Sequence, residues 1–166
     1  MKVLNIHTRV ILQPKARVAE LFKTLASDND KMLATDKWPG MRLDKGLTVG
    51  SKGGHGPIRY TVEDYREGDS IQFRFLKPRG FHGFHGFEVK ELSHQQTEIK
   101  HIIDMNISGP ALLTWPLAVR WLHDALIEDA FDKVENQFIA SQKRTEWSRW
   151  VKFLRGVLSW FSKSHR

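Results

Sequence analysis

The sequence predicts an α+β fold: an antiparallel sheet of about seven strands with a long C-terminal helix packed on one face. Two short helices are expected after strand one, and an extra amphipathic helix at the C-terminus. Two observations carry this. Apolar residues alternate with polar ones in a series of short segments between about residues 41 and 107, and a helical period runs through 112–141. Strands and helices are therefore segregated along the chain rather than alternating, the pattern of helices packed on one face of an antiparallel sheet.

Taken in order, Val3–Leu12 reads as a strand, with Leu4, Ile6, Thr8, Val10 and Leu12 alternating with Asn5, His7 and Arg9. Pro14 suits a first helical turn, where its missing N–H costs little, and Val18, Leu21, Phe22 and Leu25 follow at helical spacing. Ser27-Asp28 can cap a second short helix carrying Met32 and Leu33, stopped by Trp38-Pro39-Gly40. Met41–Leu43 and Leu47–Val49 flank Asp44-Lys45-Gly46, a hairpin signal, and 50–57 reads as a glycine-rich connection. Strands follow at Ile58–Tyr65, around Ile71, Phe73 and Phe75, from Phe87 and Val89, and over Thr97–Ile107. The long helix is expected from Leu112 to Ser141. Val119, Leu126, Ile127, Ala130, Phe131, Val134 and Phe138 share one face, with Asp129, Asp132, Lys133 and Asn136 opposite.

A chain of 166 residues, 40% hydrophobic, supports one domain with a real core and a modest appendage. The absence of cysteine excludes disulfides, Cys-based zinc sites, iron–sulfur clusters and thiol nucleophiles. The longest uncharged run, Met105–Val119, is interrupted by Gly109, Pro110 and Pro116 and is too short to span a bilayer. The first residues lack the apolar stretch of a signal peptide, so a cytoplasmic location is expected. Of the net charge of +7, six units fall in residues 143–166. The body is almost neutral, which argues against a nucleic-acid partner.

The element order, Trp38-Pro39 at the end of the second short helix, the turn Tyr65-Arg66-Glu67-Gly68-Asp69 and the long final helix together resemble the START-like helix-grip superfamily (SRPBCC). That group includes polyketide cyclases, lipid-transfer domains and coenzyme Q-binding proteins. The resemblance covers about 1–142 and leaves 143–166 outside. It implies a helix-grip fold, a curved antiparallel sheet of about seven strands wrapped on the long helix around a largely apolar cavity that binds a hydrophobic small molecule or lipid. It brings no universal catalytic residues, so none is assigned.

Polar residues on inward-facing positions are the informative ones in such a cavity. His101 is in phase with Ile99, Ile103 and Met105; Tyr60 is in phase with Ile58 and Val62; Arg120 and His123 fall on the apolar arc of the long helix, near Ile127. With Phe73, Phe75, Phe84 and His85 these are the expected cavity residues. For each polar one, the alternative is a core residue satisfied by its neighbours, or, for Arg120, a side chain snorkelling at the helix margin.

The repeat Gly80-Phe81-His82-Gly83-Phe84-His85-Gly86-Phe87 invites a metal reading with His55 or His94 as a third ligand, but sequence ties neither to the pair His82/His85. A glycine-kinked strand entry whose phenylalanines line or gate the cavity is expected instead, with no metal and no cofactor. Val49–Gly56 lacks the ending of a phosphate loop and opens no helix.

Residues 145–162 read as a helix. Trp147, Trp150, Leu154, Leu158 and Phe161 lie on one arc with Val151 and Val157, widened by Phe153 and Trp160; Arg149, Lys152 and Arg155 lie across from it. Three tryptophans with a basic face describe a helix lying on an anionic membrane. Two other readings stand beside it: docking on the chain's own domain, and binding a partner helix. The primary functional expectation is binding or transfer of a hydrophobic molecule, peripheral to the inner face of a membrane. The alternatives are a cyclase or dehydratase using His101 or His123 as general base, and a protein-interaction module. Oligomeric state is not legible.

Overall fold

The structure is a computed structural model that describes residues 1–163, with side chains to Trp160. The strands are β1 (Lys2–Ile11), β2 (Arg42–Leu43), β3 (Lys52–His55), β4 (Ile58–Arg66), β5 (Ser70–Lys77), β6 (Phe81–Ser93) and β7 (Gln96–Ile107). They form one antiparallel sheet in the order β1-β7-β6-β5-β4-β3-β2. Only β1 leaves sequence order, returning beside β7. Helix α1 (Lys15–Phe22) follows β1. The long helix is built of α2 (Ala111–Thr114), a five-residue π-helical segment (Trp115–Val119) and α3 (Arg120–Glu135). A last helix, α4 (Arg149–Lys163), packs on α3.

The core sits between the concave face of the sheet and α3. Phe22, Tyr60, Phe73, Ile99 and Phe131 are buried there. A second cluster around Phe81, Ile103, Met105 and Trp115 closes the other end of the sheet.

Four elements depart from expectation, each for a local reason. First, no second short helix forms. Residues 24–38 are a series of turns, because the Asp30 carboxylate accepts the backbone N–H groups of Ala26, Met32 and Leu33 in place of a helical ladder. Second, β2 pairs not with Leu47–Val49 but with β3, inside the expected glycine-rich connection. A Cβ at Gly53 would stand 1.8 Å from the Arg42 carbonyl oxygen, and one at Gly54 1.9 Å from that of Ile58. Glycine there permits close strand approach rather than flexibility.

Third, the long helix ends at Glu135. The Asn136 side chain bonds the backbone N–H and C=O of Lys143 at 2.8 and 2.9 Å and turns the chain back. The π-helical segment coincides with Pro116, which has no N–H to give to a regular ladder.

Fourth, β1 faces the opposite way. Leu4, Ile6, Val10 and Leu12 are exposed, while Asn5, His7 and Arg9 point at α3. Arg9 bonds Glu128, Asp132 and Glu135 at 2.9, 3.1 and 2.8 Å. The acids spaced along α3 thus bury an ionic seam on this edge strand where an apolar one was expected. Asp129 and Asp132, expected to face away from the core, are 1% and 3% exposed. Their partners come from the 24–38 turns, β1 and the C-terminal segment.

Candidate functional site

A cavity of about 420 Å³ lies between the concave sheet face and α3. Its wall is apolar and aromatic: Trp38, Phe75, Phe81, Phe87 and Trp115 contribute rings, and Ile103, Leu122, Leu126 and Ile127 contribute aliphatic surface. Four histidines interrupt it: His55, His85, His101 and His123.

Periodicity places these groups. On β6, positions 81, 85 and 87 face inward, and on β7 so do 101 and 103. Their registers set Phe87 opposite His101 and His85 opposite Ile103. His101 packs 4.6 Å from the Phe87 ring and 4.9 Å from His123 on α3. His85 stacks between Phe73 and Phe75 at 4.9 and 4.8 Å. The imidazoles form a polar rail through apolar surroundings.

Burial holds His85 and His101 well below the ordinary histidine range, reinforced by neighbouring histidines. Burial also lowers His123, although Asp124 works against it. His55 is pushed down to about 4 by burial, then by the charges of His123 and Arg59. All four are thus neutral near pH 7. His85 Nε2, His101 Nδ1 and both ring nitrogens of His123 are buried without a hydrogen-bond partner. Such atoms leave roughly 1–3 kcal/mol each for a partner to recover.

Of the expected cavity residues, Phe75, His85, His101, Ile103, His123 and Ile127 line the wall. Tyr60 and Phe73 stand one layer behind. The Tyr60 hydroxyl is 3.1 Å from His55 Nδ1, and its ring is 4.8 Å from that of His85. Met105 is buried in the cluster with Phe81 and Trp115. Two placements need correcting. Phe84 is on an outward position of β6 and lines a separate hollow on the convex face with Gln72, Glu88 and Ile102. Arg120 is exposed at the helix margin, over the Trp121 ring and 3.6 Å from Asp124.

Sequence reasoning missed His55, Trp38 and Trp115. His55 was hidden in a strand read as a loop, and the tryptophans in a turn and a helix start. Phe81, in phase with His85 and Phe87, is one of the phenylalanines expected to line or gate the cavity, and it lies in the wall.

The C-terminal helix docks on its own domain. The Trp147 indole donates to Asp129 at 2.7 Å and that of Trp150 to the Leu117 carbonyl at 2.9 Å. Val151 is buried against Ala34 and Trp38. The Arg155 guanidinium lies between the Trp38 and Trp147 rings, 4.2 and 4.3 Å from their centroids, and donates to the Lys37 carbonyl. Trp147 and Arg155 therefore face the protein, against the membrane-facing role expected of them. Leu154 is half-buried, and Leu158 reaches the cavity wall while remaining 56% exposed. Trp150, Phe153, Val157 and Trp160 remain exposed, and Arg149 and Lys152 with them. The Phe161 side chain lies outside the described residues.

No family model and no curated protein sequence matches the chain. Solved structures do match. Norcoclaurine synthase from Thalictrum flavum, in complex with dopamine and hydroxybenzaldehyde, superposes with a TM-score of 0.61 at 11% identity, covering 85% of this chain and 90% of the synthase. A START superfamily protein from Mycobacterium smegmatis superposes at 0.52 and 13% identity, covering 81% and 95%.

This chain has the START-like helix-grip fold.

A Nitrosospira multiformis protein shares that fold at a TM-score of 0.61 and 14% identity, covering 87% of this chain and all of the other. The helix-grip elements account for the body of the chain. Among the described residues, no helix is long and apolar enough to cross a membrane.

Proposed function

We propose that the cavity binds one largely apolar molecule, of aromatic or polycyclic shape, with a hydrogen-bonding group such as a hydroxyl or carbonyl. The observation that carries this reading is the set of unpartnered nitrogens on His85 and His101 in an otherwise apolar wall. A volume of about 420 Å³ falls within the range of small-molecule pockets, roughly 300–1,000 Å³. Neutral imidazoles suit an uncharged polar group and offer no counter-ion to a carboxylate.

The reading extends to exchange of that molecule with an anionic membrane. Leu158 belongs to the cavity wall, and the exposed Trp150, Phe153 and Val157 lie on the same helix beside Arg149 and Lys152. Exposed Leu113 and Leu117 continue the apolar surface where Trp150 meets Leu117. Aromatic residues flanked by cations favour the headgroup boundary, each cation contributing on the order of 1 kcal/mol.

Native mass spectrometry of freshly purified protein, with displacement of a naphthalene-sulfonate probe, tests the cavity. A co-purified apolar molecule, or probe uptake lost on filling the cavity, supports the reading; neither sinks it. Flotation with phosphatidylserine vesicles tests the membrane step. Binding weakened at least tenfold in Arg149→Glu/Lys152→Glu supports it, and equal or absent binding in both proteins removes it.

A second reading makes the same cavity catalytic. A neutral imidazole with an open nitrogen is a proton acceptor, so His101 or His123 would serve as general base in a cyclisation or dehydration. Turnover of a polyketide-like substrate that is lost in His101→Leu supports it. Unchanged turnover in that variant excludes His101 from the role.

A further inference from the structure

His7 on β1 and His123 and Asp124 on α3 each offer one donor atom, and the three atoms lie within 4.8 Å of one another. His7 Nε2 is 3.1 Å from Asp124 Oδ1, and His123 Nδ1 is 3.5 Å from the same oxygen. A tetrahedral zinc ion with bonds of about 2.0–2.1 Å sets its donors about 3.3 Å apart, and the two measured edges straddle that spacing. The 3.5 Å approach of His123 is not a hydrogen bond: both its ring nitrogens are buried and unpartnered.

The supporting groups are also in place. His7 Nδ1 is 2.9 Å from Glu128 Oε1, the carboxylate–histidine pairing that orients metal-binding imidazoles, while Nε2, hydrogen-bonded to Asp124 Oδ1 at 3.1 Å in the metal-free chain, would exchange that bond for the ion. Asn5 Nδ2 donates to Asp124 Oδ1 at 3.0 Å, and Asn5 Oδ1 is a further buried, unpartnered oxygen beside the cluster. Arg9 fixes the other oxygen of Glu128 at 2.9 Å. The donors come from two elements, β1 and α3, so their convergence is a product of the inverted facing of the edge strand.

We propose that His7, His123 and Asp124 form a divalent transition-metal site of the zinc class. Nε2 of His7, Nδ1 of His123 and one carboxylate oxygen of Asp124 are the ligands. Three protein ligands leave a fourth position for water or a ligand oxygen, the arrangement of a reactive rather than a structural ion. His123 lines the cavity while His7 and Asp124 do not, so the ion would lie at the cavity's margin and share one residue with its wall. The proposal stands independently of what occupies the cavity.

The test is titration of the full chain, stripped with chelator, with Co(II) and then Zn(II). Competition with a chromophoric chelator gives the affinity, and long-range proton–nitrogen NMR follows the histidine rings. The expected result is one ion per chain, a tetrahedral Co(II) visible spectrum, and selective shifts of the His7 and His123 nitrogens. His123→Ala and Asp124→Asn should each weaken binding at least tenfold, with His82→Ala unchanged. Ring-nitrogen shifts in the unmutated protein decide the matter even where a variant fails to fold. No uptake overturns the proposal, and so does uptake that shifts only the exposed His82 or His94. Probe binding to the metal-free protein reads the cavity separately, so the two failures are distinguishable.

Discussion

Trp147 donates its indole N–H to Asp129 Oδ2 at 2.7 Å, and Trp38 donates to the same oxygen at 2.8 Å. The other oxygen takes the Lys37 ammonium at 2.6 Å. One buried carboxylate on α3 therefore ties the 24–38 turns and the C-terminal segment to the body of the fold. Charge-assisted hydrogen bonds of this kind are roughly twice as strong as neutral ones.

Asp129→Ala is expected to cost about 3–5 kcal/mol, because it strands a partly buried ammonium and two indole donors. Urea unfolding followed by tryptophan fluorescence measures it. A loss under 1 kcal/mol would show that the carboxylate does not anchor the segment.

The facing of β1 separates two substitutions that hydropathy alone would rank the other way. Ile6→Lys, at a position 47% exposed, should change stability by no more than about 0.5 kcal/mol. Arg9→Leu, which leaves Glu128, Asp132 and Glu135 without their shared guanidinium, should cost about 3 kcal/mol. Denaturant midpoints of the pair decide between the two facings.

Ala118→Trp places an indole in the cavity from the π-helical segment. The expected outcome is loss of probe uptake with an unchanged far-ultraviolet circular dichroism spectrum. Retained uptake would place the binding volume elsewhere.

The His55 ring titrates near 4 in the folded chain against about 6.5 unfolded, so between these values the unfolded state binds more protons. Folding stability attributable to this group is constant above pH 6.5. It falls by roughly 1.4 kcal/mol for each pH unit as pH drops towards 4. Thermal melts at pH 7.5, 5.5 and 4.5 should show Tm falling, and the fall should be shallower in His55→Phe. Parallel falls in the two proteins would assign the pH dependence to other groups.

Much of the candidate site was legible in the sequence because β6 and β7 obey a strict two-residue alternation. Once Ile103 is inward, His101 must be, and His85 joins the same wall through its pairing with Ile103. Phe84 was misplaced through its resemblance to Phe81 and Phe87, although its odd step along β6 puts it on the other face. Arg120 sat at the edge of the helical arc, where a wheel does not distinguish cavity from margin.

The sequence by itself determined the sheet, the gripping helix and the cationic, amphipathic C-terminal helix, since each follows from local periodicity. Tertiary structure alone decided the facing of β1, the glycine-lined pairing of β2 with β3, and what the last helix covers. The reason is physical. Burial of an apolar stripe is non-directional and reads the same whether its partner is a membrane or a neighbouring helix. A polar strand face is equally content in water or against a row of carboxylates, and only the fold supplies the row.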